Sequence, residues 1–318
     1  MIRITRRHLV AAALATAGSA AALPAFAAER PVLRVGNQKG GLRSLLEASG
    51  VAQSLPYTLE WAEFPAAAPL LEALNAGALD LGYQGDLAFL TSFAAGAPLR
   101  IIGTARPSAA AQAILVKQDS AIRSAADLRG RRVAGNRGGW GQYLIRSALK
   151  QAGVAPGEVD ITLLPPADAS LAFRSGAVDA WAVWDPYVAL EVQQFGARVL
   201  VDGRGLTPAI MLVSAHESAI RTKRPQLADF LARFRVGWAW ADGHIPDYAR
   251  YNAALTGLPE PVLRRTYETE RTMPVALTPA LMDELQEAAA NALEFRLLRQ
   301  PLDVRRAFDT TLDAAGGA

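Results

Sequence analysis

Along most of its length this sequence alternates strand-like and helix-like runs, and four times a strand gives way to a helix through Gly or Asp-Pro. The junctions are Gly40-Gly41, Gly85-Asp86, Gly138-Gly139 and Asp185-Pro186. Strand–helix alternation of this kind fits parallel sheets with helices packed on their faces. From Val32 to Pro107 the order reads β-α-β-α-β-α-β, which argues for a parallel sheet. Ala110 to Arg204 repeats the same grammar. One further strand from Ile210 leads into helices expected over 224–240, 245–256, 260–267 and 278–295. The expected fold is therefore α/β, two lobes with a helical C-terminal tail whose last residues, Gly316-Gly317 among them, are loose. Lobe 1 would span 28–107 and 207–318, and lobe 2 would span 108–206. The chain would cross near Arg106-Pro107 and return near Gly205-Pro208, leaving a cleft between the lobes, a common place for a ligand.

The junctions suggest what such a cleft would hold. Each sets a helix N-terminus at the carboxyl end of a strand, where open α/β sheets bind ligands. Unpaired backbone N–H groups and the helix dipole make that end attractive to anions. Gly85 and Gly139 are candidates for presenting such backbone donors. One junction alone is more simply a tight turn; four together point to an anion site.

Composition removes several rival chemistries. The 318 residues include no Cys, which excludes disulfides, zinc–thiolate and iron–sulfur sites, cysteine nucleophiles and lipid attachment through cysteine. The first residues read as an export signal over 1–27. Arg3, Arg6 and Arg7 precede a weak apolar stretch, and Ala25-Phe26-Ala27 sets up cleavage after Ala27. Thr5-Arg6-Arg7-His8-Leu9 is similar to a twin-arginine signal, the alternative being a general secretory one. That segment carries three arginines and no acid, so after cleavage 33 basic residues become 30 and balance the 30 acidic ones. Bulk charge then gives no support for nucleic-acid binding. No later apolar run is long enough to span a membrane, so the expectation is an exported, soluble monomer with no direct membrane insertion.

Several runs resemble the periplasmic aliphatic-sulfonate-binding proteins of ABC transporters, relatives of the taurine- and nitrate-binding proteins. They are Leu33-Arg34-Val35-Gly36-Asn37-Gln38-Lys39, Glu63-Phe64-Pro65 with Leu70-Leu71-Glu72-Ala73-Leu74, Gly85-Asp86, and 124–130. Leu164-Pro165-Pro166-Ala167-Asp168-Ala169 follows, and the most distinctive run spans Gly176 to Tyr187 with Trp181, Trp184 and Asp185-Pro186. The resemblance implies a type II periplasmic-binding-protein fold, a sulfonate in the cleft, no cofactor or metal, and hand-over to a permease driven by an ATPase. Two departures stand out. Gln84 precedes Gly85 where the family often has Thr, and Trp140 follows Gly139 where a Ser is common, so a hydroxyl donor is missing at each loop.

The side chains allow competing readings. Gln38 and Lys39 would donate to an oxyanion or form a solvated turn. Asp86, an acid, would cap its own helix rather than meet an anion. Arg137 would pair with a sulfonate or lie on the surface. Trp184 alternates with Trp181, so one of the two faces the cleft; Trp184, nearer the strand end, is the candidate apolar wall, with core packing as the alternative. Trp140 would face the cleft at the start of its helix. Asp185 would cap the next helix or meet a ligand amine. The rival functional reading is an enzyme on the same fold, such as those that build pyrimidine precursors of thiamine, or a binder of nitrate or another non-sulfonate ligand. After cleavage only His216 and His244 remain, and no Gly-x-Ser-x-Gly, His-Glu-x-x-His or phosphate-loop pattern occurs.

Overall fold

The structure, a computed structural model, describes residues 30–38 and 40–312. The expected export segment 1–27, Lys39 and the Gly316-Gly317 tail lie outside the described residues.

The first half opens with β1 (Val32–Gln38), α1 (Leu42–Ala48), β2 (Thr58–Phe64), α2 (Ala67–Asn75), β3 (Leu81–Gly85), α3 (Asp86–Ala94) and β4 (Leu99–Arg106). The chain then crosses through a 3-10 turn at Ala109–Ala111 into β5 (Gln112–Lys117), β6 (Arg132–Gly135), α4 (Trp140–Gln151), β7 (Asp160–Leu163), α5 (Pro166–Ser175), β8 (Ala180–Trp184), α6 (Tyr187–Phe195) and β9 (Ala197–Asp202). It returns through β10 (Met211–His216), α7 (Glu217–Thr222), α8 (Arg224–Gly243), α9 (Ile245–Thr256), α10 (Glu260–Glu270), β11 (Met273–Val275) and α11 (Pro279–Glu294).

The sheets run β11-β4-β10-β3-β1-β2 and β7-β6-β8-β5-β9. The expectation of a parallel first sheet is corrected here. Strands β1, β2 and β3 are parallel, but β10 enters between β3 and β4, antiparallel to both, and β11 pairs antiparallel with β4. The second sheet is mixed too, because β5 runs against β8 and β9. The returning strand supplies the hydrogen bonds that β3 and β4 leave open to each other, so the first sheet is complete only after the chain has visited the second.

Each sheet is covered on both faces, as its apolar strands require. In lobe 1, Leu33, Val35, Leu45, Phe230 and Phe234 pack α1 and α8 on one face. Leu70, Leu74, Phe89, Leu281 and Leu285 pack α2, α3 and α11 on the other. In lobe 2, Ile114 and Val133 of the sheet cluster with Leu144 and Ile145 of α4, while Leu115 and Trp181 cluster on the other face with Phe173 of α5 and Val188 of α6. Each such buried side chain is worth about 1.5–3 kcal/mol relative to exposure. Tyr143 of α4 departs from this partition. It is buried in the lobe 1 cluster, edge-on to Phe295 with ring centroids 5.4 Å apart.

Candidate ligand-binding cleft

The strand directions bring two sheet edges to one place. β1, β2, β3 and β4 end at Gln38, Phe64, Gly85 and Arg106, and the chain leaves lobe 1 from that edge. It enters lobe 2 at Gln112, which pairs with Trp184 at the end of β8, so the carboxyl ends of β6, β7 and β8 lie at the crossing too. The return from Asp202 to Met211 starts and finishes on the same edges, since Met211 pairs with Gly85. Helices α1, α3, α4 and α6 start from these edges.

The best-defined contact across the cleft comes from the glycine loop before α4. Asn136 Oδ1 accepts the Gly141 N–H (3.0 Å), and Gln142 Oε1 accepts the Gly138 N–H (2.9 Å). A Cβ at Gly139 would lie 1.9 Å from Asn136 Nδ2, and one at Gly141 would lie 2.6 Å from the Ala182 carbonyl oxygen. Only glycine at both positions lets the loop fold onto Asn136 and α4 press against β8. This fixes Trp140 at the first turn of α4, with its indole over Gly85 of the other lobe, where a Cβ would approach Cε2 to 3.2 Å. The Trp140 Nε1–H donates to Asp86 Oδ1 at 2.7 Å.

Asp86 is a buried tie. Its Oδ1 also accepts from Leu87 N (2.6 Å) and its Oδ2 from Ile210 N (3.1 Å). Burial pushes its carboxyl up to about 6, against the pull of these donors. Neighbouring Gln84 is engaged inside the sheet, where Nε2 donates to Ser214 Oγ (2.8 Å).

The other junctions are also partly self-capped. Asn37 Oδ1 accepts the Arg43 N–H of α1 (3.0 Å), and Asp185 Oδ1 accepts the Ala189 N–H of α6 (2.8 Å). Gln38 is partly buried at the end of β1, its carbonyl oxygen accepting the Gly41 N–H (2.8 Å). α1 is only seven residues long, so its dipole is the weakest of the four. Arg137 is exposed on the loop. Trp184 is partly exposed, with its ring edge-on to Tyr187 at 6.3 Å, whereas Trp181 is buried against Phe173 and Tyr187. The structure thus brings Gly85, Asp86, Gly139 and Trp140 into one cluster, with Arg137 exposed on the same loop two residues before Gly139.

Three further residues belong to the cleft edges and carry no local signal. Asn136 organises the glycine loop. Gln112, opposite Trp184, is buried with neither amide atom hydrogen-bonded. Glu270 ends α10, and its carbonyl oxygen accepts the Ser108 N–H at the crossing (2.6 Å). Burial, then the charge of Asp185, pushes the Glu270 carboxyl up to about 8; burial pushes Asp185 up to about 7. Near neutral pH Glu270 is therefore mostly protonated and Asp185 about half so, and the cleft carries less negative charge than its composition suggests. Among the described residues no group of His, Asp and Glu is arranged to hold a metal ion, and no helix is long and apolar enough to cross a membrane.

Two α/β lobes whose strand ends and helix starts meet at a doubly crossed cleft define a type II periplasmic-binding-protein fold. The profile of the family described as NMT1/THI5 like matches residues 62–247. A relative in Escherichia coli (strain K12), named as an aliphatic sulfonates-binding protein, is 34% identical over 305 residues, covering 94% of this chain and 96% of the relative. The crystal structure of the periplasmic aliphatic sulphonate binding protein SsuA from Escherichia coli matches with a TM-score of 0.80 at 33% identity, over 89% of this chain and 98% of that one. The alkanesulfonate-binding protein SsuA from Xanthomonas axonopodis pv. citri, bound to MOPS, matches with a TM-score of 0.81 at 31% identity, over 89% and 99%. The chain belongs to this family of aliphatic-sulfonate-binding proteins.

Proposed function

We propose that this chain is the solute-binding component of an ABC importer and captures a small organic sulfonate in the interlobe cleft. The observation that carries this reading is the likeness, over nearly the whole chain, to proteins named for sulfonate binding. The cleft chemistry supports it. The starts of α3, α4 and α6 face the cleft with their partial positive charge, and burial raises the carboxyls of Glu270 and Asp185 so that they carry less negative charge near neutral pH, which favours an anion. Gln112 offers a buried carboxamide with a free donor, and Trp184 with Tyr187 offers an apolar surface for a carbon tail. The protein acts outside the cytoplasm, in the periplasm, as a monomer after removal of 1–27, and delivers its ligand to a permease and its ATPase.

The enzyme reading loses ground because the full-length relatives are binding proteins. His216 ends antiparallel β10, at the opposite edge of the sheet, and its Nδ1 sits 2.7 Å from Ser218 Oγ. His244 stacks on Trp240 at 5.0 Å.

Calorimetric titration with butanesulfonate and with the uncharged butanesulfonamide tests the proposal. The sulfonate is expected to bind more than about tenfold tighter, since charge-assisted hydrogen bonds are worth roughly twice neutral ones. Binding of a neutral sugar or a cationic amine, with no heat from any sulfonate, would overturn it.

A further inference from the structure

A second cavity, of about 620 Å3, lies between α4 of lobe 2 and the end of α11 of lobe 1. One wall carries Gln142, Arg146 and Lys150, whose four-residue spacing puts them on one face of α4. The other carries Glu294, Phe295 and Arg296. Arg146 lies about 9 Å further along α4 than Trp140, at 1.5 Å per residue, so the cavity is displaced from the cluster at the start of that helix.

The charges in this cavity do not balance. Its single carboxylate, Glu294, is engaged by Lys150 at 2.7 Å. Among the described residues Arg146 and Arg296 have no carboxylate partner, and Arg146 Nε is buried without a hydrogen bond. Desolvation, then the charge of Arg296, draws the Arg146 guanidinium below its ordinary value. Two unneutralised guanidinium groups thus face the same space, Arg146 partly withdrawn from water and Arg296 exposed, and the desolvated one gains most from a counter-anion. The space beside them has the volume of a small-molecule site. A guanidinium fork matches the paired oxygens of carboxylate and phosphate groups.

We propose that this cavity is a second anion site, separate from the sulfonate cleft, which takes a small dianion of the phosphate or dicarboxylate class between Arg146 and Arg296. One wall comes from each lobe, so an anion held there favours the arrangement in which α4 and α11 meet, and raises affinity in the cleft by the same coupling.

Thermal unfolding of the whole chain tests this with inorganic phosphate and, separately, succinate at millimolar concentration, each with and without saturating butanesulfonate. At least one of the two should raise the wild-type midpoint; phosphate alone assigns a tetrahedral anion, succinate alone a dicarboxylate. Arg146→Gln and Arg296→Gln should each weaken that response at least about tenfold in apparent affinity, the usual effect of losing a charged hydrogen bond. Both variants should keep the midpoint shift that butanesulfonate alone produces. Arg146→Gln should melt no lower than wild type in the absence of anion, because it removes a buried unpartnered group. No response to either anion, or a response that survives in both variants, overturns the proposal.

Discussion

The cleft is closed along two seams of opposite electrical character. On the α4 side, Trp140 donates to Asp86, Tyr143 enters the lobe 1 core, and Lys150 meets Glu294, with Arg146 and Arg296 left as surplus positive charge. On the α6 side, α10 packs against α6 and the crossing turn, bringing Glu270 and Asp185 near each other with Arg265 as the cation acting on Asp185. The first seam is held by direct contacts and repels itself through cations. The second repels itself through carboxylates and eases that cost by binding a proton, chiefly at Glu270. Closure should accordingly respond to anions and salt along α4, and to pH along α6.

The sharpest way to break the α4 seam is at Trp140. Trp140→Ala removes the indole over Gly85 and takes a donor from buried Asp86 Oδ1. The expected loss is about 3 kcal/mol in chemical denaturation, combining a lost large side chain with an unsatisfied acceptor. Trp140→Phe keeps a ring but not the N–H and should cost about 1–2 kcal/mol. A Phe variant as stable as wild type would show that the indole contributes by packing alone.

On the α6 seam the decisive variable is pH. In the unfolded chain Glu270 titrates near the ordinary value of 4.5, and in the folded protein at about 8. Between those values the native state holds a proton that the unfolded state has released. Stability therefore falls as pH rises through this window, and the full cost is present above it. Replacing the acid by its neutral isostere, Glu270→Gln, should flatten this dependence and raise stability near pH 8 by roughly 2 kcal/mol, a figure reduced from the full linkage value because the side chain is not wholly shielded from water. Parallel stability–pH curves for wild type and variant would remove Glu270 from the seam's charge balance.

The two seams also differ in how much of them the sequence disclosed. Helix starts at Gly85-Asp86, Gly139-Trp140 and Asp185-Pro186 were legible because strand–turn–helix grammar is local. The Trp140–Asp86 hydrogen bond was not, since 54 residues separate its ends and each has a simpler local role as helix starter or cap. Glu270 reads in sequence as an ordinary acid at a helix end; its environment is created by α6 and the crossing turn. Arg146 falls on the polar stripe of an amphipathic helix, the usual place for a solvated cation, until α11 covers it. The same non-locality explains the sheet. β11, three residues with a central Pro274, has too little pattern to read, and nothing within β10 says that it wedges between two earlier strands.

The smallest expected effect lies at the outer end of the α4 seam, in the Lys150–Glu294 pair. Both side chains are about half exposed, at 53% and 54%, although their N–O distance is 2.7 Å. In high dielectric such a pair gains little Coulomb energy and gives up side-chain freedom. Lys150 also lies over the Phe295 ring at 5.8 Å, a weak attraction at an exposed site. Lys150→Gln should therefore change unfolding stability by less than about 0.5 kcal/mol, and the difference should fade in molar salt as screening shortens to a few ångströms. A loss several times larger that persists at high salt would mean the pair acts as a clamp between the lobes. The seam would then rest on ionic contacts along its length rather than on Trp140 and Tyr143 at its inner end.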